Sequence, residues 1–325
     1  MDLHTPPSHR VTAALVEVGA WLKTTGYHFI TPTPATHRRI NSRAGAHAHA
    51  KTLRDAFGWS RPFTRDMLPP EIFRVMHSAG LVEGESDKFR SRVRFSTLGQ
   101  HLFAHSAFPT DQPDSVFFGP DTYRFAALIN AELQRVPLCS SGRILDIGCG
   151  AGPGGIMAAL WSGQAHPWLA LADINETALQ FASANCALAG VDPKFALGDL
   201  FEPVAGSFDL IVSNPPYLND RAARTYRHGG GKWGGALSER IVRDGVHRLR
   251  PGGRLVLYTG SAIVEGEDPF ALSVRDELDA LDALGWSWTY RELDPDVFGE
   301  ELEESAYAGV ERIAAVGLVV TRPAG

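Results

Sequence analysis

Arg143-Ile144-Leu145-Asp146-Ile147-Gly148-Cys149-Gly150-Ala151-Gly152-Pro153-Gly154-Gly155 is the stretch on which the fold turns. An apolar run of strand length ends in glycines at 148, 150 and 152, and a helical stretch follows to residue 162. Glycine lets a backbone turn tightly and come close to a ligand at a helix N-terminus. Short apolar runs recur at residues 168–174, 208–214 and 254–259, and helical stretches at 176–188 and 238–249 lie between them. Strands that alternate with helices predict an α/β domain with a mostly parallel sheet and helices on both faces. Residues 286–293 and 311–321 have no predicted helix between them, so an antiparallel pairing at one edge is expected. Ligands of such sheets bind at the carboxyl ends of the strands.

The first 110 residues read differently. Val11, Leu15, Val18 and Leu22 fall at helical spacing, and a second helix is expected over residues 36–57. Pro69-Pro70 opens a helix through His77 that Gly80 closes. A polar turn and the alternating run over residues 89–95 then predict a strand with one buried face. Helix, strand, turn, strand is the order of a winged helix, so a smaller, mainly α, winged-helix-like domain over 1–110 is expected before the α/β domain of 111–325. Such a domain can read nucleic acid, hold a partner or cover a substrate.

Composition narrows the class. The chain has 325 residues, 44% hydrophobic and 21% charged, as expected of a folded chain with a large core and not of a disordered one. No apolar run approaches a bilayer span, so no membrane partner is expected. The first ten residues lack the apolar core of a secretory signal. Three cysteines without a C-x-x-C pair fit a reducing compartment, and cytoplasmic location is the expectation, with no metal site. The net charge of −6 conceals a split. Residues 1–110 carry 14 Lys and Arg against 8 Asp and Glu, together with nine of the twelve histidines. That balance fits either contact with nucleic acid or docking on an acidic neighbour.

Four strand ends carry the chemistry. The glycine loop also satisfies a dinucleotide fingerprint when started at Gly150, so a nicotinamide site stays open on the glycines alone. Asp146, just before the first glycine, suits a cationic ligand better than a pyrophosphate. Asp173 at the next strand end can accept both hydroxyls of a ribose. Asp199 can accept from an adenine amino group, with Leu200 against the ring. After the fourth strand comes Asn214-Pro215-Pro216-Tyr217. Its prolines cannot continue a central ladder and set a stiff, extended exit. The Asn214 amide oxygen and the Pro215 carbonyl then form paired acceptors for a planar amino group, and Tyr217 offers it an aromatic face. Holding both hydrogens draws the nitrogen toward tetrahedral geometry and frees its lone pair.

Together these motifs resemble the class I S-adenosylmethionine-dependent methyltransferases that methylate amino groups. Residues 198–203 and 208–217 are most similar to release-factor glutamine methyltransferases and their bacterial relatives. The resemblance covers about residues 115–322 and implies a Rossmann-like seven-stranded sheet whose last strand is antiparallel. It implies S-adenosylmethionine as cofactor, with its methionine part on Asp146, Gly148, Cys149, Gly150 and Gly152, its ribose on Asp173 beside Ile174, and its adenine on Asp199 and Leu200. Asn214, Pro215 and Tyr217 would hold the acceptor nitrogen. A protein glutamine amide is the first acceptor expected, a nucleobase amine in RNA or DNA the second, and a small molecule the third. A sensor of the cofactor that binds DNA without catalysis is the reading from another class, and the complete Asn-Pro-Pro-Tyr argues against it. By the same resemblance residues 117–124 would pass over the cofactor, with Phe118 or Tyr123 touching it or packing in the core. The glycine-rich residues 227–235 are expected to form a lid whose Lys232 and Trp233 meet the substrate, with His228 a candidate proton acceptor and Cys149 a small buried residue.

Overall fold

The computed structural model describes residues 9–45, 49–220, 224 and 226–325. Helix α1 (His9–Thr24) buries Leu15, Val18 and Leu22, the face its spacing predicts. The single helix expected over 36–57 is corrected to two, α2 (Pro34–Asn41) and α3 (Leu53–Phe57). Thr52 and Asp55 form a reciprocal capping box, so a new helix begins there. Residues 46–48 of that span and residues 1–8 of the chain start lie outside the described residues.

Helix α4 (Pro70–Ser78) starts on its proline and stops before Gly80, whose φ is +69°. The hairpin of β1 (Val82–Glu85) and β2 (Lys88–Ser91) follows. The one strand expected over 89–95 is divided at Arg92, whose N–H donates to the Leu81 carbonyl. Strand β3 (Val93–Leu98) pairs with β4 (His101–Ser106) and is buried on both faces, Arg94 included. Alternating arginines therefore imitated a half-exposed strand where the structure has two hairpins.

Helix α5 (Pro120–Arg135) leads into the large sheet. Strand β5 (Arg143–Ile147), α6 (Pro153–Trp161), β6 (Trp168–Asp173), α7 (Glu176–Ala189) and β7 (Lys194–Leu197) come first. Then follow β8 (Phe208–Ser213), α8 (Ala236–Val246), β9 (Leu249–Ile263), α9 (Pro269–Asp282), β10 (Ser287–Asp294) and β11 (Arg312–Thr321). The seven strands lie in the order β10-β11-β9-β8-β5-β6-β7, and β11 runs antiparallel to both neighbours, as expected. Short 3-10 turns at Gly299–Glu303 and Ser305–Tyr307 stand between β10 and β11.

Each face of the sheet has its own core. Ile144 and Leu210 pack with α5 and α6, and their neighbours Leu145 and Ile211 pack with α8 and α9. From β5 the chain goes outward to β6 and β7, then returns to lay β8 on the other side of β5. The carboxyl ends of β5 and β8 thus flank the reversal point, where open α/β sheets form their ligand crevice. The Ser213 hydroxyl donates to the Ile147 carbonyl at 2.7 Å and ties these ends together.

The N-terminal segment shares a core with α7. Ala178, Phe181 and Ala184 of that helix join Leu15, Val18 and Phe95 in one cluster. Helix α1 crosses α7 so closely that a Cβ on Gly19 would lie 2.6 Å from a methyl of Leu188. Among the described residues no helix is long and apolar enough to cross a membrane, and no cluster of side chains could hold a metal ion.

Candidate active site

The ends of β5 to β8 open into a cavity of about 330 Å³. Gly148 and Gly150 line it at φ +65° and +54°, a left-handed backbone that other residues enter only with strain. Nothing lies within 4 Å of where a Gly148 Cβ would be, so conformation and not packing requires glycine there. Gly155 differs: its Cβ would sit 2.5 Å from Leu171 and 2.9 Å from Asp146, so its absence lets α6 press onto the sheet.

That close approach fixes Asp146. One carboxylate oxygen accepts the Gly155 N–H at 2.7 Å, and the other, Oδ1, is buried without a partner. Burial, with the nearby Asp173 adding to it, pushes this carboxyl up to about 8. A buried oxygen without a donor is stabilised by a cation brought into the cavity. Asp173 instead accepts from two backbone donors, Gly150 N–H at 2.8 Å and Asn175 N–H at 2.9 Å, and burial still raises its pKa. Asp199 is ion-paired with Arg240 at 2.9 Å, a partner that the sequence did not reveal. Leu200 lines the cavity at φ +45°. Ile174 lines it too and is 60% exposed, a large apolar side chain left for a ligand to cover.

Asn214 lines the cavity at the end of the neighbouring strand β8, beside the buried Pro215. Among the described residues its side-chain amide has no hydrogen-bond partner, so both its donor and acceptor sides are free. Tyr217 is more wall than platform. A Cβ on Gly260 would lie 2.3 Å from its ring, and Phe298 meets the ring edge-on at 6.0 Å. Its hydroxyl is buried near Asp121 without a hydrogen-bond partner, and burial raises its pKa well above the ordinary value. Asp121 itself accepts from the Tyr258 hydroxyl at 2.6 Å, and burial raises its pKa. Cys149 is buried and its thiol pushed up by burial, so it stays a neutral lining residue.

For Phe118 and Tyr123, core packing is the alternative observed, and the Tyr123 hydroxyl accepts the Thr31 N–H at 3.1 Å. Phe117 and Val116 line the cavity in their place. Lys232 and Trp233 do not line it: the Lys232 ammonium sits 4.3 Å above the Trp233 ring. Gly229 and Gly234 lie so close to the Pro216 to Leu218 backbone that a Cβ on either would clash, which fastens the glycine-rich segment down. Tyr226, Arg227 and His228 are the residues it brings to the cavity, and the buried Nδ1 of His228 has no partner. Phe298, at φ +56° beyond β10, had no signal in the sequence.

Residues 126–264 match the methyltransferase small domain family. The release factor glutamine methyltransferase of Deinococcus radiodurans is 36% identical over 194 residues, covering 56% of this chain and 63% of that protein. The ribosomal RNA small subunit methyltransferase C of Salmonella arizonae is 33% identical over 116 residues, 36% of this chain and 30% of that protein. The chain therefore spans less than two thirds of the length of these relatives. A solved structure of the T. thermophilus 16S rRNA N2 G1207 methyltransferase aligns at 14% identity and a TM-score of 0.45, over 81% of this chain and 64% of the other. The loop after β5, the acidic strand ends and the matched residues place the domain over 126–264 among the class I S-adenosylmethionine-dependent methyltransferases.

Proposed function

We propose that the protein methylates a planar amino nitrogen with S-adenosylmethionine as donor. The observation that carries this reading is the uncommitted Asn214 amide beside Pro215, in the same cavity as the Asp146 oxygen that has no partner among the described residues. The cavity fits the cofactor on its own features. An orphaned carboxylate oxygen suits its cationic part, the open space at Gly148 admits it, and exposed Ile174 gives its flat base an apolar cover. Asp173 would hold the ribose, and Asp199 with Leu200 the adenine. S-adenosylmethionine supplies a methyl carbon already made electrophilic by the attached sulfonium.

The chain has to hold the acceptor in line and exclude water. Asn214 Oδ1 and the Pro215 carbonyl accept the two N–H bonds of the acceptor nitrogen and localise its lone pair. No base is needed before attack, because the nitrogen loses a proton readily once it has gained a methyl group. His228, which lines the same cavity with a buried Nδ1 that has no partner among the described residues, is the group offered to receive it. A glutamine amide and a nucleobase amine present the same nitrogen to this pair, so the motif supports both. The segment 1–110 is the unit we assign to acceptor binding.

Transfer of labelled methyl groups into a cell extract, split into protein, nucleic acid and small molecules, tests the reading. Label should enter one fraction with wild-type protein and disappear with Asn214→Ala. Equal labelling by that variant would refute the role given to Asn214.

A further inference from the structure

The cavity at the strand ends is acidic, with Asp121, Asp146, Asp173 and Asp199 in its lining. A second cavity of about 260 Å³ lies in the N-terminal segment and has the opposite character. Arg38, Arg61 and Arg90 line it with Asn41, Ser42 and Ser60, and none of its lining residues is acidic. Two of these guanidinium groups are held in place. Arg61 donates to Asn41 at 3.0 Å and to Asp55 at 2.7 Å, and Arg90 donates to the Ser60 carbonyl at 3.0 Å. Each keeps further N–H donors without a partner among the described residues.

A third hollow, too small for a nucleotide, borders each cavity through one residue. It shares Phe108 with the basic cavity and Phe117 with the acidic one. Arg94 lines this hollow, 4% exposed, and forms no ion pair among the described residues. Its Nη2 reaches the Thr31 hydroxyl at only 3.5 Å, and its Nε has no partner. His37 and His105 beside it are neutral, because burial and then Arg94 push both well down, His37 to about 3. A buried guanidinium without an anion is expensive, and the histidines cannot balance it. Beside the basic cavity the protein thus buries one positive charge, that of Arg94, which no carboxylate among the described residues matches.

We infer that Arg38, Arg61 and Arg90 form a phosphate subsite and that the acceptor is a single-stranded nucleic acid. This rests on the amino-nitrogen reading of the strand-end cavity. A nucleotide joins the required features in one molecule: an anionic phosphate for the arginines and a planar amino-bearing base for Asn214 and Pro215. A base inside a duplex cannot reach a walled cavity, so an unpaired or extruded base is needed. Phosphodiesters repeat along the strand, so one molecule can set a phosphate on the arginines and, further along, a base in the strand-end cavity.

The test uses the full chain and fluorescein-labelled single strands of RNA and DNA, with labelled poly-glutamate as a polyanion that lacks phosphate. Anisotropy titrations across a salt series compare wild type with Arg38→Glu/Arg90→Glu, both exposed positions. We expect the variant to bind RNA, DNA or both at least about tenfold more weakly. Its log–log salt slope should be shallower by about 1.4, the loss of two phosphate contacts on a single strand. Preference for one strand type identifies the sugar and supports the site either way. Unchanged affinity and slope in the variant, or poly-glutamate binding as tightly as RNA, would overturn it. Cofactor titration of the same variant shows that it is folded. Methyl label entering protein at the wild-type rate with this variant would overturn the nucleic-acid acceptor and leave methyl transfer standing. Arginine-dependent strand binding with no label in any fraction would instead remove the amino-nitrogen reading and leave the phosphate site.

Discussion

Asn185 pairs with Ala104 as a strand would: its amide oxygen accepts the Ala104 N–H at 2.7 Å and its nitrogen donates to the Ala104 carbonyl at 2.9 Å. The same nitrogen donates to the Ala151 carbonyl at 2.9 Å, inside the glycine loop. One fully buried side chain on α7 thus joins the β3–β4 hairpin to the loop after β5. Asn185→Leu leaves three backbone groups without partners, each worth about 1–3 kcal/mol and not additive. We expect a loss of about 3 kcal/mol in urea unfolding together with weaker cofactor binding. A loss below about 1 kcal/mol would show that the clamp is dispensable.

The raised pKa of Asp146 makes cofactor binding depend on pH. From its ordinary value of 3.8 the carboxyl is pushed up to about 8 by burial, so the ligand-free folded chain holds this proton at neutral pH. Between those values the unfolded chain has already released it, so this group lowers fold stability as pH rises toward 8. A cation at Oδ1 requires the ionised form, so cofactor affinity should rise with pH up to about 8 and then level off. Calorimetry in buffers of different ionisation enthalpy should detect one proton released on binding at pH 7. Asp146→Asn should bind weakly and release none. A proton count that does not change with the substitution would exclude Asp146 as its source.

Asn214→Ala should act on turnover alone. The side chain has no protein partner to lose, so stability should hold within about 0.5 kcal/mol. Turnover should fall by at least about a hundredfold, and cofactor affinity by less than about threefold. A comparable drop in both would make Asn214 a cofactor residue and not an acceptor residue.

Ile174→Ser separates binding from folding. At 60% exposed, Ile174 contributes little to the core. Removing its apolar surface should weaken cofactor binding by about 1–1.5 kcal/mol, near tenfold, with no change in the thermal midpoint. Unchanged affinity would mean that the adenine lies elsewhere in the cavity.

Gly155→Ala tests the close approach of α6. Its new methyl would stand 2.5 Å from Leu171 and 2.9 Å from Asp146 Cβ, so a loss of about 1–3 kcal/mol is expected. Because Asp146 accepts the Gly155 N–H, cofactor affinity should fall as well. Full stability in this variant would show that the helix can shift without cost.

The sheet was legible because its strands are short apolar runs, and Asp146, Asp173 and Asn214 stand where those runs end. The first hairpin of the N-terminal segment was legible as strand, turn and strand, but the second, β3–β4, was not. Arg90, Arg92 and Arg94 alternate as on an exposed face, and only tertiary packing buries Arg94. The start of α3 was written in Thr52 and Asp55, a capping signal inside what read as one helix. Helix α9 was missed although its start is written in Asp268, which caps it, and Pro269, which opens it. Phe298 was missed because nothing local distinguishes it: it is a left-handed residue far along the chain that the fold brings to the cavity. The Arg240 partner of Asp199 joins α8 to the loop after β7, a pairing that only the folded arrangement brings about.

The cluster that seats the N-terminal segment on α7 has a consequence for inheritance. Phe181 and Ala184 face Leu15, Val18 and Phe95, so a chain begun near residue 112 would bare an apolar stripe on the helix that opens at the cofactor cavity. The α/β half is therefore expected to lose stability when parted from its N-terminal companion. The two must drift together, each compensating the other's substitutions along the α1–α7 seam.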